Sequence, residues 1–220
     1  MAGEGRYFVA GASARTRIPA AVEHAVDSPL CTALCRGGAR VRTVEHLLSA
    51  LEAMGVDNCR IEIEGGDEVP LLDGSAKEWV EAIEHVGLCA AEDSNGNNMD
   101  KLVAELHVPV YLWRMVLSLL PFLLQRFTSP MESISLSITG GWLNPPLRFH
   151  DEPCRHKLLD LVGDISLFAQ NGNQGLPLAH IIAYKAGHSL HTGFVRRLRE
   201  YADVEKRKLD LENQIANYAS

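Results

Sequence analysis

His156 and Asp160 stand four residues apart in Arg155–Asp164 (RHKLLDLVGD), a segment whose leucines recur with helical periodicity. On a helix that spacing puts both side chains on one face, with Cβ atoms about 5–6 Å apart, and Asp164 follows one turn further along. An imidazole and a carboxylate so placed can grip one metal ion. Leu158, Leu159, Leu161, Val162 and Ile165 occupy the other sides, so the polar stripe interrupts an apolar helix, which is costly unless its groups are paired or ligated. Read alone, the pattern also fits a helix with one solvated edge. A second polar pair, Glu45-His46, opens the segment TVEHLLSALEAMG. The positive end of a helix dipole favours a carboxylate in the first turn, which explains Glu45 without a function. His46 has no comparable explanation beyond a surface position. If His46 comes across to His156 and Asp160, two imidazoles and one carboxylate leave the fourth position of zinc to water, the arrangement of a catalytic site rather than a structural one.

These residues need elements to carry them. For the first helix, Thr43 is the predicted N-cap, Leu47, Leu48, Leu51 and Met54 form the buried stripe, and Gly55 stops it. Cys59–Glu64 reads as a strand, GGDE as a turn, and Ser75 as the cap of a helix that turns Trp79, Val80 and Ile83 inward. The polar stretch AEDSNGNNMD has the composition of a linker. It divides the chain into a first α+β domain at 1–92, a linker at 93–100 and a second α+β domain at 101–220. After the RHKLLDLVGD helix come a Gly/Asn turn, a strand within AHIIAYKAGH, and a helix from Ser189 to Gln214 with Leu190, Phe194 and Leu198 on one side. The charged end of that helix is most simply a solvated face. Met115–Gly140 lacks strand alternation and differs in composition from both flanks.

With 220 residues, 46% of them hydrophobic, the chain is long enough for one large or two small cores. Its net charge of −7 argues against nucleic-acid binding by phosphate neutralisation. Five scattered cysteines argue against a disulfide framework and for a reducing compartment, and Cys31 and Cys35 read as ordinary thiols. The N-terminal stretch lacks the apolar core of a secretory signal and shows no transit peptide. An apolar run at Val108–Leu124 is broken by Arg114 and Pro121, and its uncharged part falls short of the ~20 residues a membrane-spanning helix needs.

Together, VRTVEHLLSALEAMGVDN, DEVPLLDGSAKEWV, RHKLLDLVGD and KAGHSLH resemble the UDP-3-O-acyl-N-acetylglucosamine deacetylase (LpxC) family, and GWLNPPLRFHDEPCRHKLLDLVGD is most similar to its plant, organellar members. The resemblance covers about Pro29–Cys89 and Gly141–Leu198. It implies an α+β fold of two domains, each a two-layer β-α-α-β sandwich, with Zn2+ between them. It implies that His46, His156 and Asp160 are the zinc ligands and that Glu45 is the general base for water. His188 matches the histidine acting as cation or general acid, Asp164 its carboxylate partner, and Lys157 a lysine lining the polar substrate site. Taken alone, His188 reads equally well as structural. His191 stands where that motif usually has Asn, and it receives no role.

The activity implied is hydrolysis of the N-acetyl group of a UDP-linked acylated glucosamine in lipid A biosynthesis, with the mitochondrion as the compartment the resemblance implies and the cytoplasm as the alternative. Against the family pattern, the N-terminus of the first domain is incomplete. The second domain lacks central strands, an active-site threonine and the acyl-binding insert between Val110 and Gly141, and Met115–Thr139 matches none of these. Two alternatives follow: a non-catalytic relic that retains zinc, and a metal-free interaction module. Val116, Leu117, Leu119, Leu120, Phe122, Leu123 and Leu124, all within Met115–Leu124, predict an exposed patch and self-association.

Overall fold

The computed structural model describes residues 1–10, 16–98, 100–105, 109–112, 115–118 and 147–218, which form a mixed α+β fold. β1 (Arg6–Ala10) runs antiparallel to β2 (Thr16–Pro19) and parallel to β6 (Cys59–Glu62), so the sheet order is β2-β1-β6. A second, antiparallel sheet joins β3 (Ala25–Val26), β4 (Ala33–Arg36) and β5 (Ala39–Arg42) in that order. Arg36 pairs with Ala39 across Gly37 and Gly38, at φ 56° and 80°. Positive φ at both central residues is what a two-residue hairpin matching the strand twist requires. The third sheet is antiparallel, with β7 (Val110–Leu112), β8 (Met115–Ser118) and β9 (His180–Ala183) in order.

The helices are α1 (Glu45–Ala53), α2 (Lys77–Val86), α3 (Glu152–Ile165) and α4 (His188–Tyr218). α1 packs against α3, and α3 against α4. Every residue of α1 from Glu45 to Glu52 is buried, so its polar members must find partners inside the protein. One apolar cluster surrounds them and draws on both sides of residues 93–100, with Phe8, Leu34 and Leu48 from one and Ile165, Phe194 and Leu198 from the other.

Glu52 shows how such a polar residue is satisfied. Its Oε2 accepts Arg6 Nη1 at 2.6 Å, and its Oε1 accepts the backbone amides of Gly175 and Leu176 at 3.2 and 2.8 Å. Arg6 Nε donates to the Val56 carbonyl at 2.6 Å, and Nη2 lies 3.4 Å from Asp57 Oδ1. β1, α1 and the loop entering β9 are tied together through this one ion pair.

Several predicted boundaries shift. Thr43 is not the N-cap of α1. It adopts φ 59°, its hydroxyl donates to Glu68 Oε1 at 2.8 Å, and Val44 occupies the cap position without a side-chain bond. Met54 is only half-buried at the C-cap. Ser75 accepts the Lys77 amide at 3.1 Å from one residue ahead of the cap position, Ala76. Trp79 and Ile83 pack against the core while staying partly exposed. The strand expected over Cys59–Glu64 ends at Glu62, and the last helix starts at His188.

Met115–Ser118 is a strand despite its lack of alternation, because β8 is paired along both edges and its backbone is satisfied whatever its side-chain pattern. The remainder of the predicted patch, 119–124, and of 115–140 lies outside the described residues. Among the described residues no helix is long and apolar enough to cross a membrane.

Candidate active site

The site lies where α1 crosses α3, and Gly163 makes the crossing possible. A Cβ at this position would overlap the Glu45 carbonyl oxygen and lie 2.7 Å from its carbon. With hydrogen there instead, the first turn of α1 seats against the last turns of α3, and Glu45 and His46 face Asp160 and Asp164.

From Asp160 onward the polar stripe of α3 faces inward, not toward solvent. Asp160 and Asp164 are 2% and 0% exposed, whereas Leu158 is 47% exposed. Asp160 Oδ1 has no hydrogen-bond donor among the described residues, yet His46 Nε2 stands 3.7 Å from it and His156 Nε2 3.5 Å. The two imidazoles meet edge to face, 4.9 Å between centroids. Ligand atoms on a tetrahedral zinc with bonds of about 2.0–2.2 Å lie roughly 3.3–3.6 Å apart, so the donor set and its spacing suit that ion. Burial, then the neighbouring His156, push the His46 imidazole below its ordinary value, toward the neutral form that a ligand must have. Lys157 Nζ donates to the other oxygen of Asp160 at 3.2 Å, and its side chain is half exposed. The His156 side chain is 43% exposed, so the cluster opens outward on that side.

Beside it lies a second cluster. Glu45 Oε2 accepts the Thr32 backbone amide at 2.9 Å, and Oε1 faces His188 Nε2 at 4.0 Å. Burial pushes the Glu45 carboxyl up to about 7, only partly offset by backbone amides and the charge of His188. Asp164 Oδ2 receives His188 Nδ1 at 2.9 Å and His191 Nδ1 at 2.7 Å, while Oδ1 accepts the Thr32 hydroxyl. Burial opposes the charge on Asp164, but these bonds outweigh it and hold the carboxyl below its usual range. Burial likewise opposes a charged His188. The hydrogen bond and charge of Asp164, helped by Glu45, outweigh it and push the imidazole up to about 9. A carboxylate able to take up a proton thus sits across from an imidazole that keeps one, the pairing that hydrolysis by general base and general acid requires.

All seven residues singled out from the sequence, Glu45, His46, His156, Lys157, Asp160, Asp164 and His188, come to one place. Two contributors were missed. His191 carried a usable signal, because it follows His188 by three positions on one helix and such residues share a face. Thr32 carried none, since only tertiary structure brings it to Glu45 and Asp164. Cys31, Thr32, His188 and Ser189 line a shallow depression that adjoins the cluster.

A family model described as UDP-3-O-acyl N-acetylglycosamine deacetylase matches residues 1–122 and 123–200. The match therefore runs through 115–139, which the motifs alone had left outside the resemblance. Among relatives, the chain is 42% identical over 261 aligned residues to probable UDP-3-O-acyl-N-acetylglucosamine deacetylase 1, mitochondrial, of Arabidopsis thaliana, covering 90% of this chain and 79% of that protein. It is 37% identical over 250 residues to the UDP-3-O-acyl-N-acetylglucosamine deacetylase of Trichormus variabilis, covering 90% and 87%. The plant alignment is longer than the 220 residues of this chain, so the relative carries segments that the chain lacks. With a match reaching across both helices of the site, the chain belongs to the UDP-3-O-acyl-N-acetylglucosamine deacetylase (LpxC) family.

Proposed function

We propose that this protein is a zinc-dependent deacetylase that hydrolyses the N-acetyl group of UDP-3-O-acyl-N-acetylglucosamine, a step of lipid A biosynthesis, in mitochondria. The observation that carries the reading is Asp160 Oδ1: buried, without a donor among the described residues, and faced by two imidazole nitrogens at 3.5 and 3.7 Å. His46, His156 and Asp160 are the residues to hold zinc. When bound, the metal supplies Lewis-acid polarisation of water and of the acetamide carbonyl.

The protein's own groups then move the protons. Glu45, fixed by the Thr32 amide on Oε2, takes the proton of the attacking water on Oε1. His188, fixed by Asp164 on Nδ1, presents Nε2 to the reacting centre. Protonated, it favours negative charge developing on the carbonyl oxygen, and its Nε2 proton passes to the departing amine as the C–N bond breaks. Lys157 extends the cationic edge toward solvent, where the polar part of the substrate docks. The family's organisation as two β-α-α-β sandwiches, at 1–92 and 101–220 with a linker at 93–100, belongs to the same reading. The compartment rests on the names of the plant relatives.

The test is metal analysis of the purified protein combined with an assay of acetate release from UDP-3-O-acyl-N-acetylglucosamine. One zinc per chain and turnover support the proposal. The gaps in alignment with the plant relative favour one alternative, a relic that keeps zinc without catalysis, and zinc without acetate release would establish it. Absence of zinc binding would leave the interaction module.

A further inference from the structure

Two imidazoles converge on one carboxylate oxygen, Asp164 Oδ2, and only His188 has a part in the chemistry above. His191 lies one turn further along α4, is 1% exposed, and makes the shorter of the two contacts, 2.7 Å against 2.9 Å. Its ring stands 6.2 Å from that of His188 and at 80° to it, so the two approach Oδ2 from different directions without touching. Distances of 2.7–2.9 Å are those of N–H···O bonds and shorter than the ~3.3 Å separating ligand atoms on one zinc. The arrangement is therefore a hydrogen-bonded triad and not a second metal site.

Asp164 is the only carboxylate in direct hydrogen-bond contact with His188 among the described residues, so its orientation sets that of the imidazole. The Thr32 hydroxyl bonds Oδ1 and lies 3.2 Å from His188 Nδ1, where it competes for the same proton. Among the described residues His191 is the one other group that bonds Oδ2. We infer that His191 is a positioning residue for the reaction: an imidazole whose Nδ1–H locks the Asp164 carboxylate in the plane from which it holds His188. Through Asp164 it fixes the direction in which His188 Nε2 delivers its proton. This rests on the proposed part of His188 as acid, but the first test does not.

That first test is nitrogen-15 NMR of the full-length wild-type protein at neutral pH. His191 is expected to carry its proton on Nδ1, shifted to the position of a strong hydrogen bond. A His191 protonated only on Nε2 would overturn the inference whether or not the protein is a deacetylase. The second test uses turnover of UDP-3-O-acyl-N-acetylglucosamine. His191→Leu keeps the volume and removes the donor, and kcat should fall by about tenfold or more, the effect of misdirecting a catalytic group, with KM and zinc content unchanged. His191→Asn puts an amide N–H where Nδ1 stood and should restore most of kcat. Equal losses in both variants, or a change confined to KM, would overturn the positioning role. If His191→Leu does not fold, the Nδ1 proton of the wild type and the kcat of His191→Asn decide the matter.

Discussion

Gly163 and the Glu45 carbonyl are in such close contact that the two helices carrying the site can cross only because residue 163 has no side chain. The crossing sets the distance from the Glu45 carboxylate to those of Asp160 and Asp164. Gly163→Ala should therefore push α1 away from α3, destabilise the protein by about 1–3 kcal/mol as overpacking does, and weaken zinc binding. Thermal unfolding and a competitive chelator titration would measure both. A variant with unchanged zinc affinity would mean that the crossing tolerates the extra carbon.

The ligand assignment makes a separate prediction. His46→Ala and His156→Ala would each remove one of the three proposed protein ligands of the zinc, whose binding should also stabilise the fold, and each would leave Asp160 beside an emptied position. Both variants should lose zinc on dialysis that spares the wild type. Stoichiometric zinc retained by both would sink the assignment.

Much of this site was legible in the sequence because helical periodicity is local. The i, i+4 spacing of His156 and Asp160 and the first-turn position of Glu45 and His46 needed only the helices to exist. What periodicity does not carry is which way a helix faces. Leu158 turns outward while Asp160 and Asp164 turn inward, because a buried carboxylate with partners costs less than its isolated burial suggests. Long-range partners were hidden for the same reason: Thr32 is 132 positions from Asp164, and Arg6 is 46 from Glu52. Thr43 looked like a cap but its hydroxyl is taken by Glu68, a tertiary bond that outweighs the local preference.

Glu45→Gln separates base from ligand. The amide cannot accept the water's proton, so turnover should drop by roughly 10²–10⁴-fold, while zinc content and KM stay close to wild type. Because burial places the Glu45 carboxyl at about 7, and a bound dication favours the carboxylate, the acid limb of kcat/KM should fall at or below about 7. Loss of zinc in Glu45→Gln, or full activity, would remove Glu45 from this role.

On the alkaline side the sign follows from His188. Its imidazole is raised from 6.5 to about 9, so it stays protonated through neutral pH and activity should decline as pH rises through about 9. The same shift contributes to stability fully below about 6.5, and that contribution is lost as pH rises through 9. Asp164→Asn takes away the charge that outweighs burial, and the alkaline limb should move down by at least about one pH unit. An alkaline limb unmoved by Asp164→Asn would show that another group provides the acid.

The Arg6–Glu52 pair should matter to stability more than to chemistry. Both side chains are almost wholly buried, at 2% and 1% exposure, and Glu52 also holds the amides of Gly175 and Leu176. Glu52→Ala takes the nearer carboxylate from a buried guanidinium, leaving it the longer contact to Asp57, and strands two backbone donors, so it should cost about 3–5 kcal/mol, measured by urea unfolding. Replacing both partners, as in the double variant Arg6→Met with Glu52→Leu, leaves no orphaned charge. It should then cost clearly less than the sum of the two single changes, although the Gly175 and Leu176 amides remain unpaired. Glu52 lies two turns along α1 from Glu45 and its bonds go to Arg6, Gly175 and Leu176 rather than to the proposed zinc ligands, so whatever fraction of Glu52→Ala stays folded should bind zinc normally. Additive single and double variants would mean that Arg6 and Glu52 stabilise the fold independently of each other.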